Sequence, residues 1–144
     1  MRSVRGRDRT SVAKFREVLG SEPVRTATGE DMIGMGEVLV GAVTDDFECV
    51  MITPFRSDAY RGAEGFSAAW RDWLQPYSSF TAQIEDIVER DDLVVFLARQ
   101  RAVTRHDGVE IENPSASLWR FRDGKLARVE FYLDRAHGLR AAGL

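Results

Sequence analysis

The second half of the chain alternates apolar and polar residues with a period of two over four runs, which short turn sequences separate. The four runs are residues 80–89, 93–104, 109–122 and 126–133. Two of the intervening turns contain Asp107-Gly108 and Asp123-Gly124, and Asp-Gly is a strong hairpin signal because both turn positions must tolerate positive φ. The pattern therefore predicts a long antiparallel meander that occupies the second half of the fold.

The remaining segments carry helical spacing of apolar residues or short runs of strand-forming residues. Residues 11–19 and 32–43 each predict a helix, and residues 62–74 predict a third one in which the tryptophans share a face. Residues 47–53 are rich in strand formers and end at a proline, which predicts a short edge strand followed by a loop. Residues 135–144 predict a short terminal helix. Helices first and a meander after them indicate an α+β fold.

Length and charge limit the domain count and the class of partner. The 144 residues match one domain, so we expect a flexible N-terminus at residues 1–10 and a single domain at residues 11–144. No apolar run approaches the length of a membrane span, and the arginine-rich start lacks the apolar stretch of a secretory signal, so we expect a cytoplasmic protein without membrane contact. The net charge is −3 with acids and bases interspersed, which disfavours nucleic acid as a partner.

The sequence contains three short motifs in a fixed order: YRGAEG at 60–65, LWRFRDGK at 118–125 and FYLDRA at 131–136. In order and spacing they resemble the SnoaL-like branch of the nuclear-transport-factor-2-like superfamily. The resemblance implies a cystatin-like cone, in which a curved antiparallel sheet packs against N-terminal helices around an apolar pocket, commonly in a homodimer. Relatives include polyketide cyclases, ketosteroid isomerases and limonene-epoxide hydrolases, so the fold alone does not select a reaction.

The resemblance also points to Asp134 as a catalytic residue, because a carboxylate at the end of the last strand acts as general acid or base in the cyclases. At the edge of an apolar pocket, partial desolvation would suit such a carboxyl to proton transfer. Tyr132 lies two residues earlier and so on the same strand face, which makes it a second catalytic candidate. The alternative is that Asp134 caps a helix that begins at Arg135, since Asp is a favoured N-cap.

One face of the run 93–104 changes from apolar to basic along its length. A strand would show this change if its first half packed under helices and its second half lined a polar pocket mouth. Arg101 is then a candidate catalytic residue and Arg99 a candidate ligand contact. The alternative is that both arginines pair with Glu112 and Glu130 across the outer face of the sheet.

Aromatic residues near the third helix can form the wall of a pocket. Trp70 and Tyr77 are the candidate ligand contacts, although Trp70 and Trp73 also have the spacing of ordinary core residues. Arg71 and Asp72 point away from that face. Two histidines and one cysteine give no convincing ligand set, so we expect neither a metal site nor a cofactor.

Two functions remain open from the sequence. The first is a cofactor-free acid/base enzyme of cyclase or isomerase type, acting on a small apolar carbonyl or polyketide-like compound; it requires a carboxylate inside the cavity. The second is a non-catalytic ligand-binding or dimerisation module, with Asp134 used as a helix cap. We expect a homodimer joined by outer sheet faces, because a meander exposes one face and Trp119 and Phe121 share a face that could be the outer one.

Overall fold

A computed structural model describes residues 26–144, and in that range three helices and seven strands form an α+β fold. The helices are α1 (Gly29–Leu39), α2 (Gly62–Leu74) and α3 (Arg135–Ala141). The strands are β1 (Thr26–Thr28), β2 (Val43–Ile52), β3 (Ser57–Arg61), β4 (Tyr77–Arg90), β5 (Leu93–Thr104), β6 (Glu110–Arg122) and β7 (Lys125–Tyr132). The helix predicted at 11–19 and the flexible terminus predicted at 1–10 lie outside the described residues. Within the described range, no helix is long and apolar enough to cross a membrane.

The strands form one sheet in the order β1-β4-β5-β6-β7-β2-β3. The meander from β4 to β7 is antiparallel throughout, as the alternating pattern predicts. Its turns form at the Asp- and Gly-containing sequences, where Asp123 has a φ of 53° and Gly124 a φ of 79°. β2 runs parallel to β7 and pairs Cys49 with Val129, so the sheet is mixed rather than wholly antiparallel.

Helices α1 and α2 pack on one side of the sheet, which we call the inner face. Their apolar side chains meet those of the central strands in one core. The ring of Phe131 on β7 lies 5.8 Å from that of Phe66, 5.0 Å from that of Trp70 and 5.9 Å from that of Trp119. Trp119 and Phe121 are therefore buried on the inner face, and the expectation that they form an apolar outer surface is wrong.

Helix α3 packs on the opposite side of the sheet, the outer face, above Val95, Leu118 and Tyr132. The approach is close, since a Cβ on Gly138 would lie 2.8 Å from the Cβ of Ala116. Helices thus cover both faces, and two of the three described helices precede the meander, as in the predicted cone.

Two details of the first half also differ from the prediction. Helix α1 ends at Leu39, before Gly41 with its φ of 81°, so Val43 belongs to β2 rather than to the helix. β2 lies between β3 and β7, so residues 47–53 belong to an interior strand and not to an edge. The edge next to β2 is β3, a short strand with charged residues in the region predicted as a loop, and the other edge is β1.

Candidate functional site

A pocket of about 320 Å³ opens between the end of α2 and the hairpin of β2 and β3. Its lining residues are Met51, Thr53, Arg56, Asp58, Tyr60, Ala69, Asp72, Trp73, Pro76, Tyr77 and Leu133. Because side chains alternate along a strand, Asp58 and Tyr60 on β3 share the inner face with Met51, the cross-strand partner of Asp58. The pocket therefore lies on the same side of the sheet as α1 and α2.

A hydrogen bond crosses the pocket wall between β3 and α2. The hydroxyl of Tyr60 donates to Oδ2 of Asp72 at 2.8 Å. Burial raises the pKa of Tyr60 to about 12, together with this hydrogen bond and the negative charges of Asp72 and Asp58. The phenol consequently stays protonated at neutral pH and acts as a hydrogen-bond donor.

The charges around the pocket leave one carboxylate without a cationic partner. Arg56 Nε lies 2.9 Å from Asp58 Oδ2, and because both side chains are well exposed this ion pair contributes little to stability. Its effect on the pocket is that the charge of Asp58 is offset. Asp72 has no ion pair with any residue in 26–144, and its Oδ1 accepts no hydrogen bond from that part of the chain. Asp72 is thus a carboxylate that is free to accept a hydrogen bond or a proton from a ligand.

Two indole N–H groups near the pocket lack acceptors within the described range of the chain. Trp73 lines the pocket, and its Nε1 is buried without a hydrogen-bond partner among residues 26–144. Trp70, one turn earlier, is 1% exposed and lies behind the pocket wall in the aromatic core, where its Nε1 is also unpartnered. A buried donor without an acceptor costs about 1–3 kcal/mol. Trp119 avoids this cost by donating to Ser117 Oγ at 2.9 Å.

The residues selected from the sequence fall on both sides of the sheet. Tyr77 lines the pocket, and Trp70 lies directly behind it. Tyr132 lies on the outer face beneath α3, with its ring 4.9 Å from that of His137, and burial raises the pKa of its phenol. Asp134 is exposed and is the N-cap of α3, where its Oδ1 accepts a 3.2 Å hydrogen bond from the N–H of Ala136.

The two arginines also lie on the outer face. Arg99 bonds to Glu85 at 3.1 Å and to Glu112 at 3.2 Å, and Arg101 bonds to Glu112 at 3.0 Å. This is the cross-strand pairing considered as the alternative, with Glu85 in place of Glu130. The structure does not bring these arginines or Tyr132 to the pocket that Tyr77 lines. A catalytic role for Arg101, Tyr132 or Asp134 and a ligand contact by Arg99 stay predictions.

Sequence patterns do not reveal the two residues whose hydrogen bond crosses the pocket wall, Tyr60 and Asp72. Tyr60 lies in the segment predicted as a loop; reading residues 57–61 as a strand would have placed Asp58 and Tyr60 on one face. Helical spacing predicts Asp72 on the solvent side of α2, where it is indeed exposed, yet it also borders the pocket mouth. The position of Asp72 on its helix therefore predicts that the side chain is exposed, but it does not predict the contact with Tyr60.

No group of three or more His, Cys, Asp or Glu side chains in residues 26–144 is arranged to hold a metal ion.

Cys49 is fully buried on β2, and burial raises the pKa of its thiol to about 12. Because the thiolate is the reactive form, this cysteine is inert at neutral pH.

Comparison with known families and structures agrees with this architecture. The family model of the SnoaL-like domain matches residues 34–129. A structure from Jannaschia sp. CCS1, described as a SnoaL-like polyketide cyclase, has 17% identity and a TM-score of 0.64 over 95% of this chain and 91% of that chain. No curated protein matches this chain by sequence.

Two further structures share the fold. The phenazine biosynthesis-related protein of Pseudomonas aeruginosa has 16% identity and a TM-score of 0.60, covering 98% of this chain and 83% of that chain. TerC, co-crystallised with polyporic acid, has 17% identity and a TM-score of 0.58, covering 78% of this chain and 93% of that chain. At these identities the likeness establishes the fold and not the activity.

Proposed function

This chain belongs to the SnoaL-like domain family, and on that premise we propose that it binds a small ring-shaped carbonyl compound beside Tyr60 and performs cofactor-free acid/base chemistry on it. The observation that carries the proposal is the hydrogen bond between Tyr60 and Asp72 at the wall of an aromatic pocket. The acid/base enzyme expected from the sequence has its carboxylate inside the cavity; here we propose that Asp72, an exposed carboxylate at the pocket mouth, takes that role.

The size and lining of the pocket support a ligand of one or two rings. A volume of about 320 Å³ lies at the small end of ligand pockets, which span roughly 300–1,000 Å³. Tyr60, Trp73 and Tyr77 supply aromatic surface against which a flat apolar ring would pack. Related folds give further support, since one is described as a polyketide cyclase and another was crystallised with polyporic acid.

The proposed step is removal of a proton from the carbon next to the carbonyl of the ligand. Asp72 accepts the proton as that C–H bond breaks, and the electron pair moves into an enolate. Tyr60 keeps its own proton and orients the carboxylate through Oδ2. Return of the proton from Asp72 to another carbon would give an isomer. Attack of the enolate carbon on a second carbonyl would close a ring, and the proton on Asp72 would then pass to the alkoxide that this attack forms.

A second candidate function is non-catalytic binding of the same class of ligand. One observation favours it: Asp134, the carboxylate that matches the cyclase pattern, is used as the N-cap of α3.

A homodimer joined by outer sheet faces also remains a proposal. The surface beyond α3 carries the ion pairs that Arg99 and Arg101 form within the chain.

The two functions can be separated by following α-proton exchange of α-tetralone in D₂O by NMR. We expect the protein to accelerate exchange, Asp72→Asn to abolish the acceleration and Asp134→Asn to retain it. Binding of α-tetralone without accelerated exchange would contradict the enzyme and support the binding protein. Acceleration that survives Asp72→Asn but not Asp134→Asn would show that the acid/base residue is Asp134 and not the pocket carboxylate.

A further inference from the structure

Trp73 has two properties that no other residue of the pocket combines in the described part of the chain. It lines the cavity, and it carries a buried polar hydrogen without an acceptor. Native structures leave few buried donors unpaired, and each such group calls for an explanation, such as an absent water or ligand. Because the nitrogen itself is buried, an acceptor atom on a bound molecule would satisfy this donor only after the indole turns toward the cavity.

The other side-chain donors of the pocket are either bonded within the described part of the chain or reach solvent, as does the hydroxyl of Tyr77, which is not a buried unpartnered atom. The hydroxyl proton of Tyr60 is used in the bond to Asp72, and Arg56 faces solvent in its pair with Asp58. The hydroxyl of Thr53 donates to the carbonyl oxygen of Arg56 within the β2–β3 turn. These commitments leave the indole of Trp73 as the buried donor for a ligand.

The charge of the pocket limits which acceptor group a ligand can present to Trp73. Arg56 offsets Asp58, so the uncompensated charge at the mouth is the carboxylate of Asp72. A second carboxylate on the ligand would be repelled by Asp72, whereas a neutral carbonyl oxygen would not. A neutral ketone or quinone oxygen therefore fits both the free indole N–H and the negative mouth.

We propose that Trp73 is the specificity-determining residue of the pocket and donates its indole N–H to a neutral carbonyl oxygen of the ligand. This inference rests on the proposed function, because it assumes that the ligand occupies this pocket. In the acid/base reaction the same N–H would stabilise the negative charge that develops on the oxygen as the enolate forms. Trp73 thus binds the carbonyl oxygen of the ligand, and Asp72 accepts the proton.

The test compares α-tetralone with tetralin, which has the same two rings but no oxygen, by NMR of the ¹⁵N-labelled protein. We expect α-tetralone to shift the indole N–H resonance of Trp73 downfield and to bind more tightly than tetralin. The indole resonance of Trp119, already bonded to Ser117, should move little and serves as an internal control. A ketone that binds in the pocket while the Trp73 indole resonance does not respond would overturn the proposal.

Two matched variants separate recognition from general packing. Trp73→Phe keeps an aromatic ring but removes the N–H, so affinity for α-tetralone should fall roughly tenfold while affinity for tetralin is retained. Trp70→Phe removes the other unpartnered indole N–H, which does not line the pocket, and should keep the preference for the ketone. Equal loss for both ligands, or loss of preference in Trp70→Phe, would overturn the assignment. If neither compound binds the unaltered protein, the proposed function fails and this inference fails with it.

Discussion

Tyr60 and Asp72 join the edge of the sheet to the last turn of α2 through a 2.8 Å hydrogen bond. The contact therefore affects both the stability of this corner of the fold and the shape of the pocket. Tyr60→Phe should lower the free energy of unfolding by about 0.5–1.5 kcal/mol, the net value of one hydrogen bond. Tyr77→Phe is the matched control, because no residue in 26–144 bonds to the Tyr77 hydroxyl. Equal midpoints of urea unfolding for the unaltered protein and Tyr60→Phe would show that this hydrogen bond contributes nothing to stability.

A second prediction concerns alkaline pH. Burial raises the pKa of Cys49 from 9.0 to about 12, so the unfolded chain releases this proton at a lower pH than the folded protein. The stability contributed by the neutral thiol is present below pH 9 and is lost as pH rises toward 12. Cys49→Val should flatten the dependence of the unfolding free energy on pH just above 9, where Tyr60 and Tyr132 still titrate little. An unchanged slope in the variant would contradict the assignment to Cys49.

The contact between α1 and α2 gives a prediction with a control on the same helix. A Cβ on Gly36 would lie 1.9 Å from Ser67 Oγ and 2.9 Å from the carbonyl oxygen of Ala63, while a Cβ on Gly34 meets nothing within 4 Å. Gly36→Ala should therefore destabilise the protein by about 1–3 kcal/mol. Gly34→Ala should stabilise it by roughly 0.5–1 kcal/mol, since alanine favours a helix. Thermal unfolding of both variants tests the contact, and a stabilising Gly36→Ala would disprove it.

Asp134 allows its capping role to be measured apart from any chemistry. Asp134→Ala removes the acceptor for the N–H of Ala136 and should cost about 1 kcal/mol of stability, whereas Asp134→Asn retains a good cap. Chemical unfolding of the two variants gives the comparison. Equal stability of Asp134→Ala and the unaltered protein would mean that α3 does not depend on this cap.

The parts of the fold that depend on local sequence were predictable. The meander and α2 follow from alternation, from the Asp-Gly turns and from the proline after the helix, all of which act over a few residues. The parallel pairing of β2 with β7 and the edge strand β3 could not be derived in this way. They depend on which distant segment lies beside a strand, and no local pattern of residues 57–61 specifies that.

The orientation of β7 shows why the site was harder to predict than the fold. Its alternate residues give one apolar face and one charged face, and the plain reading assigns only the apolar face to the core. In the structure Phe131 is on the inner face, yet Tyr132 and Glu130 on the outer face are also buried, by α3 and by the arginines around Glu130. Because both faces of β7 are buried, the difference between a buried apolar face and an exposed polar face, which a prediction from sequence uses, is absent here. The pocket residues Tyr60 and Asp72 meet only through tertiary structure, 12 positions apart.

The most direct test of the central claim is a map of backbone amide shift changes on titration of the ¹⁵N-labelled protein with α-tetralone. We expect the changes to concentrate at Met51, Tyr60, Trp73 and Leu133, which surround the pocket. Arg99 and Arg101, on the opposite face of the sheet, should remain unaffected. Shift changes centred on these arginines and Tyr132, with none at Tyr60 and Trp73, would contradict the account and place the ligand on the outer face.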